Sequence, residues 1–212
     1  MGKDMKYRVL LMVMTWCVGM APIHAAETRA PDALAKSVTD EVLAVVRADK
    51  EIQSGNRKKV LELVESKVAP HFSFVRMTQL AMGRNWRQAN AAQQKVLVDE
   101  FRTLLVRTYT TAFTQYKNQT VEYRSPRMAA GDTDVIVQSF IKQPGGQSVA
   151  VDYSMEKTGG GWKVYNVKIE GVSLVENYRN TFNTEIQKSG VDGLIKSLSE
   201  RNKLLAQQVQ GQ

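Results

Sequence analysis

The chain has 212 residues, of which 43% are hydrophobic, and a formal net charge of +8. This length suits one large domain, or one domain with two lobes. The single cysteine, Cys17, lies in the N-terminal segment. A disulfide framework, thiol catalysis and cysteine-based metal sites are therefore excluded from the rest of the chain.

The N-terminal segment has the pattern of a secretory signal peptide. Three basic residues precede an apolar run over residues 9–20, and Pro22 breaks the segment after it. The run is shorter than the about 20 apolar residues that a membrane-spanning helix needs, so an uncleaved anchor is disfavoured. We predict a signal peptide over residues 1–25 with cleavage after Ala25, the alternative being cleavage after Ala26.

The remaining residues, 26–212, are expected to form one exported, soluble domain. Residues 1–25 carry three basic residues and one acidic residue, so the mature chain keeps a formal charge of +6. Such a charge favours transient contact with anionic membrane surfaces, although solubility alone also explains it. The basic clusters are short and separate, which is typical of solvated helix faces and does not indicate a nucleic-acid partner.

Apolar residues recur at helical spacing in several segments. They predict helices over residues 31–52, 57–68, 73–82 and 91–116, with Gly55, Pro70 and Gly83 after the first three. Near the C-terminus, two more helices are predicted over residues 174–188 and 191–206, separated by a break at Ser189-Gly190.

Between these helices the apolar period changes to two, which predicts strands. Four strands are expected, at residues 121–123, 135–142, 149–155 and 162–169. In the last strand Trp162 and Val164 are out of phase with Val167 and Ile169, and a bulge near Tyr165-Asn166 would return both pairs to one face. The order indicates an α+β fold with helices packed on one face of a twisted four-stranded antiparallel sheet.

The polar residues do not form a recognisable catalytic or metal site. On the third strand the apolar side chains share one face, and Asp152 and Glu156 fall on the other. His71 is the only histidine of the mature chain, and no carboxylate or cysteine cluster accompanies it. We therefore predict no catalytic residue, no metal and no cofactor.

Two segments carry a family resemblance. The string WKVYNVKIEGVSLVENYR, at residues 162–179, resembles the closing segment of the MlaC family, also called the toluene-tolerance auxiliary family. Residues 72–86 and the start of the helix after them resemble the family's preceding motif, although Ser73 stands where many members carry an acidic residue. The likeness extends over about residues 34–205.

The resemblance implies a periplasmic phospholipid carrier that is not an enzyme. It implies an NTF2-like lobe plus a helical lobe, with an apolar cavity for acyl tails and the bound phospholipid as cargo rather than cofactor. The implied partners are an inner-membrane ABC transporter complex and an outer-membrane lipoprotein complex, and the implied role is to maintain the lipid asymmetry of the outer membrane.

Carried onto this chain, the resemblance gives a set of apolar candidates for binding the tails. They are Phe74, Met77, Phe101, Leu105, Tyr109, Val135, Val137, Val149, Val151, Tyr153, Val164, Val167, Ile169, Val172, Leu174 and Tyr178. Arg179 is a candidate for the headgroup phosphate, with a salt bridge that pins its helix as the alternative.

Three functions remain open from the residues alone: a lipid carrier, a small enzyme and an adaptor. Periodicity does not distinguish a cavity wall from the wall of a filled core, because both are apolar on one side. A small NTF2-like enzyme would place an acid or base inside its cone, and Tyr153 is the only titratable side chain on the apolar face of the third strand. An adaptor that binds partner proteins without a ligand is the third possibility.

Overall fold

The computed structural model describes residues 29–110 and 118–210, with side chains as far as residue 208. The chain begins with helices, continues as an antiparallel sheet and ends in a long helical segment. This order confirms the α+β class that the change of period predicts.

The region predicted as the first helix, residues 31–52, forms two helices in the structure. Helix α1 spans Pro31–Ala48 and α2 spans Lys50–Gln53. Between them the carboxylate of Asp49 accepts hydrogen bonds from the backbone N–H groups of Glu51, at 2.8 Å, and Ile52, at 3.2 Å. The prediction of one helix through Ile52 is therefore wrong, because an aspartate can cap a new helix N-terminus as well as occupy a helix interior.

The next two helices lead towards the sheet. Helix α3 spans Arg57–Leu63 and continues as a π-helical turn, Val64–Val68, and a 3₁₀ turn, Ala69–His71. Helix α4 spans Phe74–Met82, and a 3₁₀ segment that the sequence did not predict, Gly83–Gln88, follows it.

Two longer helices complete the helical part. Helix α5 spans Ala91–Tyr109, and its first turn is closed by a reciprocal capping box between Asn90 and Gln93. The predicted continuation to residue 116 falls outside the described residues. The last segment, α6, spans Leu174–Gln210 and is interrupted at Gly190, where φ is 71°, as the predicted break requires.

The sheet has five strands in the order β1-β2-β3-β4-β5, all antiparallel. The strands are Thr120–Arg124, Asp134–Lys142, Val149–Thr158, Gly161–Ile169 and Val172–Ser173. The fifth strand corrects the predicted count of four. It follows a two-residue turn at Glu170-Gly171, where both φ angles are positive as in the tight turns of hairpins.

The predicted bulge in β4 is confirmed. Ser154 of β3 lies opposite Asn166, whereas its neighbour Met155 lies opposite Val164, which leaves Tyr165 as the extra residue. Because of this extra residue, Val164 and Val167 both lie on the face that carries Met155. We call this face the inner face and the opposite one the outer face.

Helices contact both faces of the sheet. Helix α1 and Phe72 cover the inner face and complete a sheet core of buried side chains, which are Val135, Val137, Met155, Trp162 and Val164. On the outer face, Arg76 of α4 forms ion pairs with Asp134, at 2.8 Å, and Glu156, at 2.7 Å. The prediction of helices on one face of the sheet is therefore incomplete, because α4 also contacts the outer face.

A second cluster, the helical core, lies between α4, α5 and α6. Its buried members include Met77, Phe101, Leu105, Val175 and Phe182. A third cluster joins α1, α2 and α3. Among the described residues, no helix combines the length and the apolar composition needed to cross a membrane.

Candidate functional site

The inner face is a continuous apolar surface that runs across the sheet. Side chains of paired residues in adjacent antiparallel strands lie on the same face, so the register defines its rows. One row pairs Val137 with Tyr153 and Tyr153 with Val167, and the next pairs Val135 with Met155 and Met155 with Val164. These rows lie beneath Leu34 and Ala35 of α1 and beneath Phe72.

Exposure along the inner face rises towards the β4–β5 turn. Val151 pairs with Ile169, which in turn pairs with Val172. The exposed fractions of these three residues are 5%, 42% and 65%. Ile169 and Val172, which we call the apolar rim, therefore extend the buried surface into solvent at the edge of the sheet.

The hydroxyl groups in the middle of the inner face are hydrogen-bonded. The Ser139 hydroxyl donates to the Val151 carbonyl at 3.1 Å, and the hydroxyls of Tyr123 and Thr39 lie 2.6 Å apart. Burial raises the pKa of Tyr123 and that of Tyr153 above the usual range. These phenols are neutral at physiological pH, so they add no charge to the middle of the face.

The predicted tail-binding residues fall into two groups. Those on the inner face are Val135, Val137, Val149, Val151, Tyr153, Val164, Val167, Ile169 and Val172. Those in or against the helical core are Phe74, Met77, Phe101, Leu105, Leu174 and Tyr178. The structure brings together the members of each group, and the tail-binding roles of all of them stay predictions.

The helical core is filled by aromatic rings. The ring centroid of Phe101 lies 5.0 Å from that of Tyr178 and 5.0 Å from that of Phe182, with near-perpendicular planes in both cases. Edge-to-face rings at this spacing attract each other beyond their burial. Tyr109, the remaining candidate, is 37% exposed near the end of α5, and its partial burial and the neighbouring Tyr178 raise its pKa to about 12.

Arg179 lies away from the inner face. It is exposed on α6, and no described residue forms an ion pair or hydrogen bond with it. The alternative of a pinning salt bridge is therefore not found among the described residues. Arg179 lines a polar hollow with residues that follow α4.

The described residues contain no group of three or more histidine, cysteine, aspartate or glutamate side chains that could hold a metal ion. His71 is partly buried in the 3₁₀ turn before α4. Burial and the charge of Lys163 lower its pKa. It is therefore neutral at physiological pH, and no carboxylate of the described residues forms a hydrogen bond with it.

Comparison with known protein families gives a match over most of the chain. The family model described as MlaC protein matches residues 36–200. This chain belongs to the MlaC family.

Individual MlaC relatives are similar over most of their length. A toluene tolerance protein of Pseudomonas putida, ttg2D, is 24% identical over 172 residues, which are 81% of this chain and 80% of the relative. The intermembrane phospholipid transport system binding protein MlaC of Haemophilus influenzae is 22% identical over 178 residues, covering 82% and 83%. The structure of a phospholipid-binding protein from Ralstonia solanacearum, in complex with a phospholipid, is 46% identical, with a TM-score of 0.77 and coverage of 84% of this chain and 99% of that one.

Sequence reasoning missed the residues that join β4 to the start of α6. The Asn166 side-chain oxygen accepts from the Ser173 hydroxyl at 3.1 Å and from the Val175 N–H at 3.3 Å. The Ser173 oxygen accepts from the Glu176 N–H at 3.2 Å and so caps the start of α6. A serine three residues before a glutamate is the sequence signal that could have located this cap.

Proposed function

We propose that this chain is a periplasmic phospholipid carrier that binds the acyl tails of its cargo through the inner face of the sheet. The observation that carries the proposal is the similarity to a phospholipid-binding protein whose structure holds a phospholipid, at 46% identity over nearly all of that chain. The match of residues 36–200 to the family model supports the same assignment. We assign no catalytic residue and no cofactor.

The physical requirement of a carrier is a surface that replaces the hydrocarbon of a membrane. Exposing an acyl chain to water costs about 0.8 kcal/mol per methylene group. The inner face supplies apolar side chains across its rows, with its hydroxyls hydrogen-bonded and its tyrosines neutral. Binding close in strength to that of the membrane permits both loading and release.

The entry of the tails is proposed to begin at the apolar rim. Ile169 and Val172 are the exposed end of a row that leads to buried Val151. Further in, Leu34 and Ala35 of α1 occupy the space above the sheet core. Loading therefore requires α1 to move away from the inner face, so that methylene groups replace its contacts.

Membership of the family supports a cellular role. We propose that residues 1–25 are removed on export and that residues 26–212 act in the periplasm. The carrier would receive and deliver lipid at an outer-membrane lipoprotein complex and an inner-membrane ABC transporter complex, and so maintain outer-membrane asymmetry. The name of the Haemophilus influenzae relative, a binding protein of an intermembrane phospholipid transport system, supports this role.

Lipid transfer by rim variants tests the proposal. Val172→Asp places a carboxylate at a position that is 65% exposed, so the free energy of unfolding should change by only about 0.5 kcal/mol or less. The same charge opposes the passage of methylene groups, and transfer of a labelled phospholipid from donor to acceptor vesicles should slow about tenfold, which corresponds to 1.4 kcal/mol.

The matched control is Ile136→Asp, which introduces the same charge at a residue that is 55% exposed on the outer face. It should transfer lipid at the wild-type rate. Equal rates of lipid transfer by Val172→Asp and Ile136→Asp would show that the acyl tails do not enter at the apolar rim. A wild-type chain that transfers no lipid would contradict the carrier function itself.

A further inference from the structure

A polar hollow of about 350 Å³ lies between the end of α4 and the first turns of α6. We call it the arginine hollow, and its lining residues are Met82, Gly83, Arg84, Asn85, Arg179, Asn180 and Asn183. Two guanidinium groups and three side-chain amides line it, and none of these seven residues is acidic. The hollow thus concentrates hydrogen-bond donors and positive charge without an internal counter-charge.

The arginine charges of the hollow are uncompensated. Arg76 and Arg102 each form ion pairs with carboxylates. By contrast, neither Arg84 nor Arg179 has an ion-pair or hydrogen-bond partner among the described residues. Two such cations at one site repel each other unless an anion binds between them.

One guanidinium of the hollow lies against Gly83. The φ of Gly83 is +55°, and a Cβ built on it would lie 2.9 Å from Nη2 and 3.1 Å from Nε of Arg179. The guanidinium therefore packs directly against the backbone, and a side chain at position 83 would require it to shift. This contact brings the arginine of α6 to the end of α4, beside the hollow.

Two of the three amides are held in place by hydrogen bonds. Asn85, which is buried, donates from Nδ2 to the side-chain oxygen of Asn183 at 3.2 Å, and Gln88 donates to the Asn85 oxygen at 2.9 Å. Because the oxygen of Asn183 is engaged, its own NH₂ group is left as a donor. Asn180, one turn away on the same helix, adds a further amide.

We propose that the arginine hollow binds a phosphate-type oxyanion. Guanidinium groups bind phosphate through paired N–H donors, and the hollow places two of them beside three side-chain amides. The phosphate can belong to a lipid headgroup or be free in solution. The headgroup form rests on the proposed carrier function, whereas the binding of free phosphate does not.

The binding of inorganic phosphate to the mature chain, followed by ³¹P NMR at low ionic strength, tests the site. Arg84→Gln and Arg179→Gln should each weaken phosphate binding about tenfold, because each removes a charge-assisted contact. Arg179→Lys keeps the charge without the paired donors and should also weaken it. The matched control is Arg87→Gln, since Arg87 is exposed in the same 3₁₀ segment but does not line the hollow.

The two sources of phosphate are separated by comparing lipid-free protein with protein loaded from phosphatidylglycerol vesicles. If loading abolishes the binding of inorganic phosphate in the wild type, the headgroup occupies the hollow. If loaded and lipid-free protein bind phosphate equally, the ligand is a free anion. Equal phosphate affinity in the wild type and the Arg84→Gln/Arg179→Gln double variant, or an equal loss in Arg87→Gln, would overturn the proposal.

The readouts also distinguish this proposal from the carrier function. The lipid content of the wild type tests the carrier function, whereas phosphate binding by the lipid-free protein tests the hollow. A wild type that binds phosphate in the hollow but carries no lipid would leave the site standing and remove only its headgroup form.

Discussion

Replacement of Phe101 by alanine is expected to lower the free energy of unfolding by about 3–5 kcal/mol, the range for truncating a fully buried phenylalanine. Phe101 has an exposed fraction of 0%, and its ring contacts Tyr178 and Phe182 edge to face. For a chain of this size, the loss corresponds to a fall in Tm of about 10 °C. Thermal and denaturant unfolding followed by circular dichroism measure both quantities.

The control for Phe101→Ala is Val96→Ala on the same helix, where the side chain is 40% exposed. Its effect should be about 0.5 kcal/mol or less. A loss below about 1 kcal/mol for Phe101→Ala would show that the helical core is loosely packed around this ring. The lipid content of the same preparations then tests whether Phe101 also contacts acyl tails, as the resemblance implies.

Replacement of Val151 by aspartate is expected to reduce the lipid content of the purified protein at least tenfold. Val151 is 5% exposed and lies one residue pair from the apolar rim, so the carboxylate meets the methylene groups of a bound tail. The substitution should also lower the free energy of unfolding by about 3 kcal/mol, because a charge is partly desolvated. A typical domain stability of about 5–15 kcal/mol leaves the variant folded.

Lipid content and thermal unfolding of Val151→Asp are measured on one preparation, beside Ile136→Asp on the outer face. The control should keep both its lipid and its Tm. A folded Val151→Asp that carries lipid normally would show that Val151 does not contact the cargo. If the aspartate variant does not fold, Val151→Thr gives the same comparison, since it keeps the shape and adds one hydroxyl.

The parts of the fold that periodicity determines could be predicted from the sequence. The phase shift between Val164 and Val167 required an extra residue, and the bulge lies at Tyr165. The break in α6 lies at Gly190 because a glycine there adopts a positive φ. In both cases the local sequence pattern and the folded structure require the same backbone feature at the same place in the chain.

The parts that depend on distant contacts could not be predicted. Strand β5 has only two residues, too few for a periodic pattern, and it forms because its backbone pairs with β4. Apolar spacing shows that Met77 and Val137 both point inward, but it does not assign them to the helical core and the sheet core respectively. Arg179 and Gly83 are in contact although they lie far apart along the chain.

Mass spectrometry of solvent extracts tests most directly whether this protein carries phospholipid. The mature chain is purified from periplasmic material with no lipid added, and its extract is compared with that of Val151→Asp. The carrier function predicts diacyl phospholipid at about one molecule per wild-type chain and a strong reduction in the variant. An extract without phospholipid, together with no uptake of lipid from vesicles by the same folded protein, would contradict it.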